Sequence, residues 1–204
     1  MQFINDRRKT EMFMTVSDST AKRGSAWNEQ HTEQLIVSIA GGDTSALEEL
    51  YHLTQAPLYA YLLSLLKNSA DAGDALQDTY LDVFTTAARY QPQGHSRAWL
   101  YAIAKNKAMM TFRRKKIRGE VPEEESGPEP WEDPHLGREE RMVLSAALNI
   151  LSEEERQIVT LHAVSGFRFR EVASFLELPI NTVLSKYHRA MKRLRRQLSE
   201  EEGV

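Results

Sequence analysis

The chain contains no cysteine. That absence removes disulfides, zinc–thiolate sites and thiol catalysis, and it suits a reducing compartment. No apolar run approaches the roughly 18–20 residues that cross a bilayer, so no membrane insertion is expected. The stretch from Met1 to Thr20 is interrupted by Arg7, Arg8, Lys9 and Glu11 and lacks the unbroken apolar segment of a signal peptide. A cytoplasmic protein is therefore expected. A large excess of one charge is missing too: the net charge of -3 over 204 residues excludes a simple basic DNA-coating protein. The alternating pattern of strands is not found, which leaves helices.

Beneath the small net charge lies strong segregation. Lys105 to Arg118 carries Lys105, Lys107, Arg113, Arg114, Lys115, Lys116 and Arg118 without an acid, and Lys186 to Arg196 is again purely basic. Between them, Glu120 to Asp133 is purely acidic. Two basic patches split by an acidic spacer suggest two contacts on one polyanion.

Hydrophobic spacing organises the rest. Residues 1–30 show no sustained period and are expected to form a disordered tail, with Met1, Met12 and Met14 all candidate starts. From Thr32, Leu35, Ile36, Ile39 and Ala40 share a helical face that Gly41-Gly42 ends. Asp43 is a cap for a second helix bearing Leu47, Leu50 and Tyr51, expected to kink or restart at Pro57 and to continue through Leu58, Tyr61, Leu62, Leu65 and Leu66. Ser69 and Asp71 offer caps for a third, with Leu76, Tyr80, Val83, Phe84 and Ala87 as its apolar face. Tyr90 to His95 reads as a loop, and Ser96 opens a fourth helix that runs into the basic cluster. The segment 117–135, with Pro122, Pro128, Pro130, Gly119, Gly127 and the acid run, reads as a flexible linker. A second helical block follows from Leu136, with a capping box at Ser152–Glu155. The expectation is an all-α protein of two small helical domains, 31–116 and 136–198, joined by a flexible acidic linker.

The C-terminal block has the parts of a helix-turn-helix. Phe169 to Leu176 is a short helix, buried through Val172, Ala173, Phe175 and Leu176. Glu177-Leu178-Pro179 makes the turn. The long helix from Ile180 turns Val183, Tyr187, Ala190, Met191 and Leu194 inward, leaving Asn181, Thr182, Leu184, Ser185, Lys186, His188, Arg189, Lys192 and Arg193 outward. Short hydrogen-bonding groups followed by cations suit a helix that reads base edges and then phosphates. The bland alternative is a solvated basic surface helix.

These residues carry a resemblance. Gly166 to Leu198 is similar to region 4 of bacterial RNA polymerase sigma factors of the extracytoplasmic-function (ECF) class, whose pattern is G-x-S/T-x-x-E-I-A-x-x-L-G-x-P-x-G-T-V-K-S-R-x-x-R-A-x-x-x-L. Asn181 and Leu184 depart from it. Asp71 to Phe84 resembles region 2.2, and Tyr90 to Lys107, with Arg97-Ala98-Trp99-Leu100-Tyr101 and Ile103-Ala104-Lys105-Asn106, resembles regions 2.3 and 2.4. Gly73 stands where the pattern usually has Glu. Both blocks occur in the family's order, covering about residues 31–198, with no region 3 between them.

The resemblance implies that the third helix docks on core RNA polymerase through Asp74, Gln77, Asp78, Leu81 and Asp82; otherwise that face is solvated and Leu81 a stray leucine. It implies that region 2 reads promoter DNA at the -10 element as separated single strand. Tyr90, Trp99 and Tyr101 are candidate stacking aromatics, the loop through His95, Ser96 and Arg97 a base-holding site, and Lys105, Asn106, Arg113 and Arg114 cations or polar groups along the backbone. Core packing is the alternative for Trp99 and Tyr101. Region 4 is implied to read duplex DNA at the -35 element, and an anti-sigma factor is an expected partner. The acidic linker is either a mimic of nucleic-acid charge or a solubilising spacer.

Rival readings are weaker. Glu49-x-x-His52 has the spacing of one di-iron ligand pair, but no second copy occurs. No Gly-rich phosphate loop accompanies the acid stripe of Asp71, Asp74, Asp78 and Asp82. No enzyme activity, metal, cofactor or small-molecule substrate is expected. A standalone helix-turn-helix regulator is the remaining alternative.

Overall fold

The computed structural model describes residues 28–118 and 150–200, which fall in two separate compact units. Nearly all of the expected tail, most of the linker and the helix expected after Leu136 lie outside these residues. Every element among the described residues is helical.

The first unit has four helices: α1 (Glu29–Ala40), α2 (Thr44–Leu66), α3 (Ser69–Thr86) and α4 (Ser96–Arg118), with a short 3-10 turn at Ala87–Arg89. α1 starts earlier than its apolar period suggested, because Asn28 caps it by accepting the His31 N–H at 3.1 Å. Asp43 caps α2 as expected, accepting from Ser45 and Ala46. α2 neither ends nor restarts at Pro57, which sits inside one continuous 23-residue helix. At α3 the expected caps give way to Asn68, whose side chain accepts the Asp71 N–H at 2.8 Å. Ser69 is already helical, and the Asp71 carboxylate instead pairs with Lys115 of α4.

The stripes meet in one core, where α2 packs against α1, α3 and α4. Ile36, Leu50, Leu58, Tyr61, Leu62, Val83, Leu100 and Tyr101 are fully buried there. Each such side chain contributes on the order of 1.5–3 kcal/mol of burial. Thr54 and Tyr80 share a buried 2.6 Å hydrogen bond between α2 and α3. Phe84, expected on the inner face of α3, is instead 45% exposed. The inward residues Leu76, Tyr80, Val83 and Ala87 recur at four- and three-residue steps; Phe84, four residues after Tyr80, lies at the outer edge of that stripe, on the side away from Val83.

The second unit contains α5 (Glu153–Val159), a π-helical turn (Thr160–Val164), α6 (Phe169–Leu176) and α7 (Ile180–Glu200). The capping box is present: Ser152 Oγ accepts the Glu155 N–H and Glu155 accepts the Ser152 N–H. Leu151, Val159, Ala190 and Leu194 form a buried cluster, with Tyr187 and Met191 packed on it. Gly166, at φ +72°, reverses the chain ahead of α6. The turn between α6 and α7 hinges on Glu177, which takes a left-handed φ of 56° while the Leu178 N–H bonds the Ala173 carbonyl at 3.0 Å.

Candidate nucleic-acid and polymerase interfaces

One face of α3 is left unpacked by the rest of its unit. Asp74, Gln77 and Leu81 are exposed and Asp78 is half-buried; Leu81 reaches 64% exposure. Phe84, expected from its spacing on the inner face, instead extends this exposed face by one turn. The result is a pair of large apolar side chains rimmed by carboxylates and an amide. Asp82 is half-buried and is paired within the unit, with Lys107 of α4 at 2.7 Å.

The loop between the 3-10 turn and α4 borders a shallow cleft of about 330 Å³, lined by Arg89, Tyr90, Gln91, Gln93, His95, Ala98 and Trp99. Tyr90 and Trp99 form its aromatic wall, with ring centroids 4.9 Å apart and planes at 53°. Both residues are half-buried. Arg89 supplies a cation that the sequence reading missed. Lys105 is half-buried, whereas Asn106, Arg113 and Arg114 are exposed further along α4.

Three residues assigned to single-strand contact turn out otherwise. Tyr101 is fully buried beside Tyr61, with ring centroids 5.2 Å apart, so it has no face to offer a base. Burial also raises the pKa of Tyr61 well above the ordinary tyrosine range. Ser96 is fully buried and donates its hydroxyl to Glu29 of α1. The Arg97 side chain is only 12% exposed and lies 3.7 Å from the Glu29 carboxylate. Ser96 and Arg97 belong to the frame of the loop. Helical spacing cannot separate Trp99 from Tyr101 until the partner helix is known, which is why the sequence left both open.

The loop is held from α1. Glu33 Oε1 accepts the Tyr90 hydroxyl at 2.5 Å, the Gln93 N–H at 2.8 Å and the Gly94 N–H at 2.7 Å. These bonds, led by that from Tyr90, hold the Glu33 carboxyl below its ordinary pKa. The tyrosine is pushed above its own ordinary range by desolvation and by the carboxylate. Glu29 and Glu33 are four residues apart on one helix face, but their partners lie some sixty residues away, and no local signal announces that.

In the second unit, α7 exposes Asn181, Ser185, His188, Arg189, Lys192 and Arg193, while Thr182, Leu184 and Lys186 are half-buried. Two of the cations are engaged within the unit. Arg193 donates to buried Glu155 at 2.7 Å, and Lys186 pairs with Glu154 at 2.5 Å. Phe169 stacks on His162 at 3.8 Å and meets Tyr187 edge-on at 5.0 Å. The His162 Nδ1–H donates to the Phe167 carbonyl at 2.7 Å, fixing the ring against which Phe169 lies. The N-terminal capping bond of α6 comes from Glu171, which accepts the Arg168 N–H at 2.6 Å.

Of the one di-iron-type spacing in the sequence, Glu49 pairs with His31 at 2.9 Å and His52 lies 3.8 Å from Glu48. Among the described residues, no cluster could hold a metal ion and no helix is long and apolar enough to cross a membrane.

The family models for sigma-70 region 2 and sigma-70 region 4 match residues 50–117 and 141–194. The chain is 33% identical over 174 residues to the ECF RNA polymerase sigma factor SigE of Mycolicibacterium smegmatis, covering 79% of this chain and 66% of that protein. The chain belongs to the ECF class of the sigma-70 family. RNA polymerase sigma factor CarQ of Myxococcus xanthus is 29% identical, covering 78% of this chain and 92% of its own length. Among solved structures, the sigma factor RpoE of Bartonella quintana, in complex with the anti-sigma factor NepR, matches with a TM-score of 0.62 and 25% identity, over 74% of this chain and 96% of that one. An ECF sigma factor is not an enzyme; it directs promoter recognition by RNA polymerase through regions 2 and 4. The α3 face and the cleft lie in the region 2 unit of this sigma factor, and α7 lies in its region 4 unit.

Proposed function

We propose that the cleft beside the 90–97 loop captures an unstacked base of the -10 element while α7 reads the -35 duplex. The cleft carries this reading. Its size lies at the small end of ligand-binding clefts, which run to roughly 300–1,000 Å³. It combines two aromatic faces with amide, imidazole and guanidinium groups, the mixture that holds a single-stranded base by stacking and edge hydrogen bonds. Asn106, Arg113 and Arg114 lie along α4 to follow the phosphates. On α7, Asn181 and Ser185 are placed for base edges, and His188, Arg189 and Lys192 for bases or backbone. Leu184 suits a thymine methyl.

The α3 face docks on core RNA polymerase through Gln77, Asp78, Leu81 and Phe84. An anti-sigma factor is a fitting regulator, since RpoE of Bartonella quintana was crystallised with one. The site of action is the cytoplasm, where promoter and polymerase meet.

Trp99→Ala tests the cleft. Stacking on an aromatic is worth about 1–3 kcal/mol per base, so promoter opening by the variant holoenzyme, followed by permanganate reactivity of unpaired thymines, should fall about tenfold. Core binding should hold. Opening at the wild-type level would refute base capture by this cleft.

A further inference from the structure

The bond pattern around Glu33 has a direction to it. Three donors converge on one carboxylate oxygen, and all three come from the segment that walls the cleft. Gly94, at φ +75°, turns its own N–H and that of Gln93 toward the same point. Consecutive amides arranged this way form a small anion nest, and here a side chain of α1 fills it. The Tyr90 hydroxyl bond fixes the ring that faces Trp99. Four residues earlier, Glu29 takes the Ser96 hydroxyl and the Arg97 N–H, the latter at 3.3 Å. The two carboxylates thus grip the loop at both ends, while the side chains of Gln91, Gln93 and His95 line the cleft.

We propose that Glu33 is a positioning residue for -10 recognition: its carboxylate, assisted by Glu29, holds the 90–97 loop in the shape that accepts an unstacked base. This rests on the reading of the cleft as a base-binding site. Glu33 does not contact the nucleic acid. It raises the fraction of molecules whose loop is competent before DNA arrives, and apparent affinity falls in proportion to that fraction. The idea opposes plain electrostatics. An anion beside a DNA path repels phosphates, so charge alone predicts tighter binding once Glu33 is neutralised. Positioning predicts weaker binding.

The test uses holoenzyme reconstituted from core polymerase and the full chain, as wild type, Glu33→Ala, Glu33→Gln and Trp99→Ala. The probe is a single-stranded oligonucleotide carrying the -10 region of a promoter mapped for this protein. Core affinity is measured alongside. Glu33→Ala should weaken the oligonucleotide roughly tenfold if the free loop is competent about a tenth of the time. Glu33→Gln, which keeps an accepting oxygen, should recover part of that loss, and core affinity should stay at the wild-type level for both. If Trp99→Ala is impaired but Glu33→Ala binds as well as wild type, or better, positioning is overturned while the cleft stands. If Glu33→Ala also loses core affinity, the residue supports the unit as a whole, and the proposal is equally overturned. If Trp99→Ala itself binds normally, the cleft reading fails and takes this inference with it.

Discussion

Trp99 and Tyr101 stand two positions apart on α4, and two positions of an α-helix point about 200° apart. One ring walls the cleft and the other is buried beside Tyr61. Two further residues are at odds with their backbone. Gly73 lies inside α3, where a Cβ would meet nothing within 4 Å. Glu177 adopts φ 56°, in the left-handed region that favours glycine. Glycine in a helix costs about 0.5–1 kcal/mol relative to alanine, and a left-handed conformation costs a side-chain-bearing residue roughly 1–2 kcal/mol. Gly73→Ala and Glu177→Gly should therefore each stabilise their own unit by about 1 kcal/mol, read by denaturant unfolding of the purified chain. A loss of stability in either variant would contradict the local geometry. The first site was legible in the sequence, since a glycine amid helical periodicity is conspicuous; the second needed the φ angle.

At the scale of elements, α3 and α7 each divide their faces between a packed side and an exposed one. Leu81→Ala with Phe84→Ala should leave unfolding nearly unchanged, because both side chains are substantially exposed. The pair should nevertheless weaken pull-down of core polymerase by about 2–4 kcal/mol, the scale of apolar anchors in an interface core. Wild-type pull-down would return this face to solvent. On α7 the cations separate by partner. Arg189→Ala should cost -35 duplex binding about 1–3 kcal/mol, measured at fixed salt, with folding intact. Arg193→Ala should instead lower the stability of region 4 by about 1–3 kcal/mol, since it removes the hydrogen bond to buried Glu155. The inverse result would mean the reading face is misplaced. Periodicity made most of this legible: the stripes on α1 to α3, apart from the exposed Ala40 and Tyr51, and the inward set of α7 follow from 3.6-residue spacing, and the Ser152 boundary follows from its capping box. It misassigned Phe84 because a helical wheel cannot tell the edge of an apolar stripe from an exposed neighbour. It could not see Arg193 meeting Glu155, 38 residues away.

At the scale of the molecule, two small helical units divide one task. Region 2 carries the exposed α3 face and the cleft, and region 4 carries α7 with its outward cations. This division was legible because two motif blocks stand in order with a composition break between them, and charge segregation marks both basic patches. The grip of α1 on the loop was not legible, since it depends on hydrogen bonds spanning 57 to 61 residues. The two units are expected to act together in starting transcription. Run-off transcription with reconstituted core polymerase on a mapped promoter checks this. A discrete product should require this protein and be lost when either the -10 or the -35 element is scrambled. A protein that binds the -35 duplex tightly on its own, yet yields no product with core polymerase, would contradict it and point to a standalone regulator.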